Sequence, residues 1–167
     1  MPALLALLTV LSVPPQLPAD ACALLKRADL SAFGTTGAPR NADMVVDSGP
    51  ASGQTVKGCM WKVGSDGMIA ISVARLPTGA AHQAGLAMLE QTYNRLKAQG
   101  WSEEKQDITG GRCALLTPPA AEKDAPITTG CMAEAKGLAV SVSALGRTRV
   151  TIEQVKALLD LLVQRLR

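Results

Sequence analysis

Two runs of alternating large and small residues set the pattern of this chain. In Met68–Arg75, Ile69, Ile71 and Val73 alternate with Ala70, Ser72 and Ala74; in Leu138–Leu145, Leu138, Val140 and Val142 alternate with Ala139, Ser141 and Ser143. A period of two puts the large set on one face of a strand and the small set on the other. Each run follows a related start, Gly58-Cys59-Met60-Trp61 in one case and Gly130-Cys131-Met132 in the other. Each also leads into a stretch with helical spacing. Leu86, Leu89, Tyr93 and Leu96 form one stripe within Ala80–Gln99. Ile152, Val155, Leu158, Leu159, Leu162 and Leu166 form the other, opened by the capping pair Thr151 and Gln154. The chain thus reads as an internal repeat of two β-β-α-like units, over about 58–99 and 130–167.

The remaining segments fill in around these units. Ala21–Phe33 has helical spacing and a stop at Gly34, which predicts an N-terminal helix. Thr35–Gly58 is rich in Gly, Pro, Asn, Asp and Ser and reads as loop, with one short edge strand at Met44–Val46. Trp101–Gly111 reads as polar connecting chain or the opening of a strand, followed by strands at Cys113–Thr117 and Ile127–Ala135. The expected fold class is α+β: an N-terminal helix, then two β-β-α-like units forming one mainly antiparallel sheet with the helices packed on one face. The large-residue face belongs under the helices. The face of Ala70, Ser72, Ala74, Ala139, Ser141 and Ser143 is then either left to water, which antiparallel sheets tolerate, or used as a flat docking face.

The N-terminus bears on compartment. Met1–Ala19 carries no charge, and its apolar run Leu4–Val13 falls short of the about 20 residues a transmembrane helix needs. No transmembrane span is expected. Ala19-Asp20-Ala21 fits a small-x-small cleavage site, so residues 1–21 read as a signal peptide and 22–167 as a single secreted domain, periplasmic or extracellular. A lipid anchor at Cys22 is disfavoured, because Ala19 and Asp20 stand where a lipobox carries a Leu-like and a small neutral residue. Four cysteines in a short exported chain point to disulfides, and Cys22, Cys59, Cys113 and Cys131 allow three pairings. The element order favours Cys22–Cys59 and Cys113–Cys131; a Cys59–Cys131 link through matching repeat positions is the main alternative. Closure of the Cys113–Cys131 loop contributes about 3 kcal/mol on the chain-entropy account.

Composition narrows the chemistry. The 17 basic and 14 acidic residues are scattered, which leaves no nucleic-acid footprint. Aromatics make up 2%, too few to stack sugars. His82 is the single histidine, at the start of a helix, with no nucleophile or orienting acid placed beside it. Asp43, Asp47, Glu103, Glu104 and Asp107 lack EF-hand spacing, and neither Gly110-Gly111-Arg112 nor Gly34-Thr35-Thr36-Gly37 has the phosphate-loop pattern. No catalytic residue, metal or cofactor is implied. Arg147, Arg149, Arg165 and Arg167 make the C-terminal region locally basic, read as a solvated rim or an anion contact.

Cys22-Ala23-Leu24-Leu25, the stop near Gly34 and then Gly58-Cys59-Met60-Trp61 resemble a family of small secreted or lipid-anchored bacterial envelope proteins of unknown function. Its members carry a Cys-x-Leu-Leu helix and a later Gly-Cys-x-Trp strand, and the likeness covers roughly Cys22 to Leu96. The resemblance implies a Cys22–Cys59 disulfide and an extracytoplasmic domain without known enzymatic activity. The departures are the short distance from the apolar segment to Cys22 and the lack of a separate lipobox cysteine. The expected function is a non-enzymatic extracytoplasmic binding domain with a protein or small-molecule partner in the envelope. The alternatives are a periplasmic or secreted hydrolase with a loop-built site, and an inhibitor or accessory subunit acting by surface complementarity.

Overall fold

The computed structural model describes residues 15–49, 51–77, 80–122 and 124–166, without the side chains of 80–82, 85, 86 and 89. The segment 1–14, which holds most of the expected signal peptide, lies outside the described residues. Eight strands are present among the described residues: β1 Thr35–Asn41, β2 Met44–Val45, β3 Thr55–Val63, β4 Gly67–Arg75, β5 Ser102–Ile108, β6 Gly111–Thr117, β7 Ile127–Ala135 and β8 Leu138–Gly146. Two α-helices accompany them, α1 Ala80–Ala98 and α2 Ile152–Arg165. The strands form one antiparallel sheet in the order β1-β3-β4-β8-β7-β6-β5, with β2 added to β3.

The two alternating runs become the central strands β4 and β8, which pair along their whole length. Their large residues, Ile69, Ile71, Val73, Leu138, Val140 and Val142, are all buried on one face. Above them lies α2, whose Ile152, Val155, Leu158, Leu159 and Leu162 are buried in turn. The capping box at Thr151 and Gln154 is present in full. Thr129, buried on β7, donates from Oγ1 to the Val150 carbonyl and ties the sheet to the turn that launches α2. Reversal between β7 and β8 falls on Lys136 and Gly137, both at positive φ, as a tight primed hairpin turn requires.

The two alternating runs themselves correspond at β4 and β8. Ser72 pairs with Ser141, the residue holding its own place in the other run, so a local two-fold axis passes between them normal to the sheet. The shared Gly-Cys-Met starts do not obey this axis. Cys59 faces Ile71, whereas Cys131 faces Val142, two residues along from Val140, the counterpart of Ile71. The β3–β4 hairpin closes at Gly67, well beyond Ile71, whereas the β7–β8 hairpin closes at Leu138, nearer to Val140; arm and turn lengths both differ, and the resemblance of these starts is not a structural equivalence.

Three expectations need correction. The N-terminal helix over Ala21–Phe33 is replaced by two 3-10 turns, Ala21–Ala23 and Ser31–Phe33. Asp20 caps the first by accepting from the Cys22 N–H, and Asp29 interrupts helical continuation by accepting from the Lys26 N–H. Local side-chain acceptors of this kind compete with the helical ladder. Next, Thr35–Asn41, read as loop, and Ser102–Ile108, read as connecting chain or the opening of a strand, are the two edge strands. Their Gly, Pro and charge content suits edges, which proteins blunt in this way against further pairing. Last, the helices do not share a face. The N-terminal turns bury Ala21, Leu25 and Leu30 and pack on β3, β1 and β4, the place that the local axis would give α1. Displaced from it, α1 belongs to the opposite side.

Both favoured disulfides are formed, Cys22–Cys59 and Cys113–Cys131, and no described cysteine is free. The first fastens the N-terminal turns to β3; the second joins directly opposed residues of β6 and β7. Arg165 completes the attachment, with Nη1 2.5 Å from Asp29 Oδ2 and Nη2 3.0 Å from Oδ1. The same guanidinium donates to the Leu24 carbonyl at 2.8 Å.

The Arg165 guanidinium holds the Asp29 carboxyl below its ordinary range. A folded value below the unfolded one adds stability above the ordinary carboxylate range, and this is lost as pH falls through the folded value. Urea unfolding at pH 7 and pH 3 is expected to show a smaller difference for Asp29→Asn than for the wild type; an unchanged difference would show that the pair contributes nothing. Leu162→Ala, at a fully buried α2 position, is expected to cost about 3 kcal/mol in the same assay.

Candidate functional site

The six small residues expected to share a face come together as one patch on the side of the sheet away from α2. Register sets them in rows. Ala70 and Ser143 lie between Met60 on β3 and Gly130 on β7; Ser72 and Ser141 lie between Gly58 and Met132; Ala74 pairs with Ala139. All six are half-buried, and Ser72 Oγ lies 2.8 Å from Ser141 Oγ. The centre of the patch is thus nearly flat, apolar apart from a row of hydroxyls, and bordered by methionine side chains. Met132 is 46% exposed.

Charged and folded-over segments frame the patch. On the β1 side, the Asn41–Asp43 turn crosses Gly58, where a Cβ would come within 2.7 Å of the Ala42 carbonyl oxygen. Asp43 accepts from the Gly58 N–H at 3.1 Å and meets Lys57 Nζ at 2.5 Å, and the Lys57 ammonium holds its carboxyl below the ordinary range. On the β5 side stand Lys105, Asp107 and Arg112, with Asp107 Oδ1 2.8 Å from Arg112 Nε.

Glu103, considered from the sequence only as one of several scattered carboxylates, is a covered one. It opposes Leu116 and so points to the same side as the small patch. Its side chain is only 2% exposed, with Oε2 2.8 Å from Lys97 Nζ of α1 and Oε1 3.1 Å from Lys105 Nζ of β5. Burial pushes its carboxyl up, and the two ammonium groups outweigh burial, so that it sits below its ordinary range. Lys105 Nζ also lies 5.3 Å from the centroid of the Tyr93 ring on α1. Burial, and then the Glu103 charge, push the Tyr93 hydroxyl up. These contacts place the C-terminal part of α1 on the side of the small patch. A run of alternating charged and polar residues gave no signal that one carboxylate would be covered.

Elsewhere the expected chemistry disperses. The side chain of His82 lies outside the described residues, as do those of Leu86 and Leu89, and Arg167. The C-terminal arginines serve separate partners: Arg147 reaches Asp66 and Asp124, Arg149 reaches Glu104, and Arg165 reaches Asp29. Two shallow clefts of about 400 and 390 Å³ lie at the sheet ends. Lys156 and Asp160 pair within the first, and Arg147 and Asp66 within the second. Among the described residues, no three His, Cys, Asp or Glu side chains gather in a metal-binding group. None of the described helices is long and apolar enough to cross a membrane.

No protein-family model matches the chain, and no match was found among curated proteins. Its fold is similar to that of the extracellular domain of PknH from Mycobacterium tuberculosis, known from a crystal structure. The TM-score is 0.58 at 14% sequence identity, over 86% of this chain and 93% of that one. The likeness extends over nearly the whole of both chains and is a likeness of fold.

A long charged side chain on each face tests the layering. Ile71→Arg buries an unpaired charge and is expected to abolish folding or cost more than about 4 kcal/mol. Ser72→Arg is expected to stay within about 1 kcal/mol of the wild type in the same denaturation experiment. Equal damage from both would mean that the small-residue face is also packed.

Proposed function

We propose that this protein is a non-enzymatic extracytoplasmic binding domain whose docking surface is the small-residue face of the sheet. The observation that carries the reading is the assembly of Ala70, Ser72, Ala74, Ala139, Ser141 and Ser143 into one continuous patch on β4 and β8. Side chains this short let a partner approach the backbone closely, and the Ser72, Ser141 and Ser143 hydroxyls offer donors and acceptors without a fixed charge. The methionines at the margin adapt to an irregular apolar surface.

Placement outside the cytoplasm is supported by the two disulfides and by the fold shared with an extracellular domain. Export would remove residues 1–21 or end just before Asp20, leaving Cys22 available for Cys59. Lipidation of Cys22 is disfavoured by its bond to Cys59. Against the hydrolase alternative stands the disposition of the shifted groups. Asp29, Asp43, Glu103, Arg112 and Arg165 are each matched to an opposite charge rather than converging on one cleft.

The experiment compares wild type with Ser72→Arg and with Gln164→Arg, a control at an exposed position of α2. Each is expressed with its native leader, purified without denaturant and examined by native mass spectrometry and by capture from envelope extract. The expected result is one bound species retained by wild type and Gln164→Arg and lost from Ser72→Arg, with all three equally folded. Retention of that species by Ser72→Arg would exclude this face as its docking surface.

A further inference from the structure

We infer that the sheet edge at Met44–Val45 is a docking strand for an extended segment of another protein. That segment carries apolar residues opposite Met44 and Val45, a basic residue opposite Asp47 and an acidic one opposite Arg40. The inference does not depend on what the small-residue face binds.

β2 is bonded on one side only. It pairs with β3 and has no second neighbour in the sheet. The register of β1, with Arg40 opposite Met60 and Asn41 opposite Cys59, runs on into β2, with Met44 opposite Val56 and Val45 opposite Thr55. The Ala42 N–H donates to the Gly58 carbonyl and the Val46 N–H to the Gln54 carbonyl, both in this register. Ladder bonds between antiparallel strands fall on alternate residues, so Ala42, Met44 and Val46 turn their backbone groups towards β3. Val45, between them, turns its N–H and C=O to the open side. Among the described residues neither group is bonded.

Elsewhere the sheet edges are blunted. β5 carries Glu103, Glu104, Lys105 and Asp107. In β1 the register shifts between Thr36 and Arg40, around Pro39 and around Gly37 at φ 75°. Charges, prolines and bulges of this kind keep an edge from pairing. The Asp43 N–H is taken by Asn41 Oδ1 at 2.8 Å. From Met44 to Val46 there is no such guard. Instead Met44 is 58% and Val45 62% exposed, on opposite faces of the edge.

Charge selects the strand that fits. Arg40 and Asp47, at the two ends of the open stretch, form no ion pair among the described residues. Asp43 is already held by Lys57 and by the Gly58 N–H. A second copy of the chain fits poorly. Antiparallel pairing centred on Val45 would set Asp43 opposite Asp47 of that copy on both sides of the axis, carboxylate against carboxylate. An antiparallel strand that begins with a basic residue, continues with apolar ones and ends with an acidic one meets Asp47, the apolar pair and Arg40 in turn. Backbone bonds to Val45 then set the register, and the side chains select the sequence.

The test is titration of the full, disulfide-bonded chain with a capped octapeptide: lysine, three valines, three threonines and glutamate, in that order. Amide NMR shifts are the readout. They are expected at Met44–Val46 and at Thr55 and Val56 behind them. A peptide with lysine and glutamate exchanged is expected to bind about fivefold more weakly. Val45→Lys, at an exposed position, is expected to leave the fold unchanged and abolish binding. Asp47→Lys is expected to bring the two peptides within about twofold of each other. The inference is overturned by shifts confined to β5 or to the small-residue face, by no shift at millimolar peptide, by equal binding of both peptides to wild type, or by binding retained in Val45→Lys. A concentration-dependent dimer of the wild type that Val45→Lys dissolves would also overturn it, since the edge would then serve a second copy.

Discussion

The link between Cys22 and Cys59 decides how the two halves of the sheet are covered. It fixes the N-terminal turns against β3, and with the Arg165–Asp29 pair it holds Ala21, Leu25 and Leu30 over the large-residue face. The second half of that face is roofed by α2. With both places filled, the first helix of the repeat has no seat on the core side. The free-energy logic is ordinary: a disulfide removes conformational freedom from the unfolded chain, which lets a short segment without a regular helix compete with a longer amphipathic one.

This asymmetry divides the molecule into parts of different character. One face carries long β-branched and leucine side chains, two disulfides, and a helix with a complete capping box. Its interactions are cooperative and apolar, the kind that make up most of a domain's stability. The other face carries short side chains, a pair of hydroxyls and, at its edge, a covered carboxylate between two lysines. Little energy is committed there, and regions with few buried apolar contacts are those that open or rearrange at low cost.

What the sequence made legible follows the same division. The alternation in β4 and β8, the stripe of α2 and the cap at Thr151 all reflect burial, so periodicity reports them directly. The six-residue patch was readable because a period of two leaves no choice of side once Ile71 and Val140 are placed inward. The N-terminal turns were misread as a helix because Leu24, Leu25 and Ala28 have helical spacing, while the competing acceptors Asp20 and Asp29 act through local hydrogen bonds. β1 and β5 were hidden because edge strands need not alternate. The burial of Glu103 was not readable at all, since it depends on where a displaced helix comes to rest.

The pairing of Ser72 with Ser141 has one more consequence. Across the β4–β8 seam each contact recurs with the roles of the strands exchanged, Ala70 with Ser143 and Ala139 with Ala74, so the seam is an isologous interface closed inside a single chain. At such an interface only the residues on the axis face their own equivalents. Bulk added at Ser72 is met head-on by whatever stands at 141, and an increase at one position is best accommodated by a decrease at the other. Every other position along the seam meets a residue that is not its own equivalent and can vary without that reciprocity. The two serines are thereby coupled by symmetry as well as by their hydrogen bond.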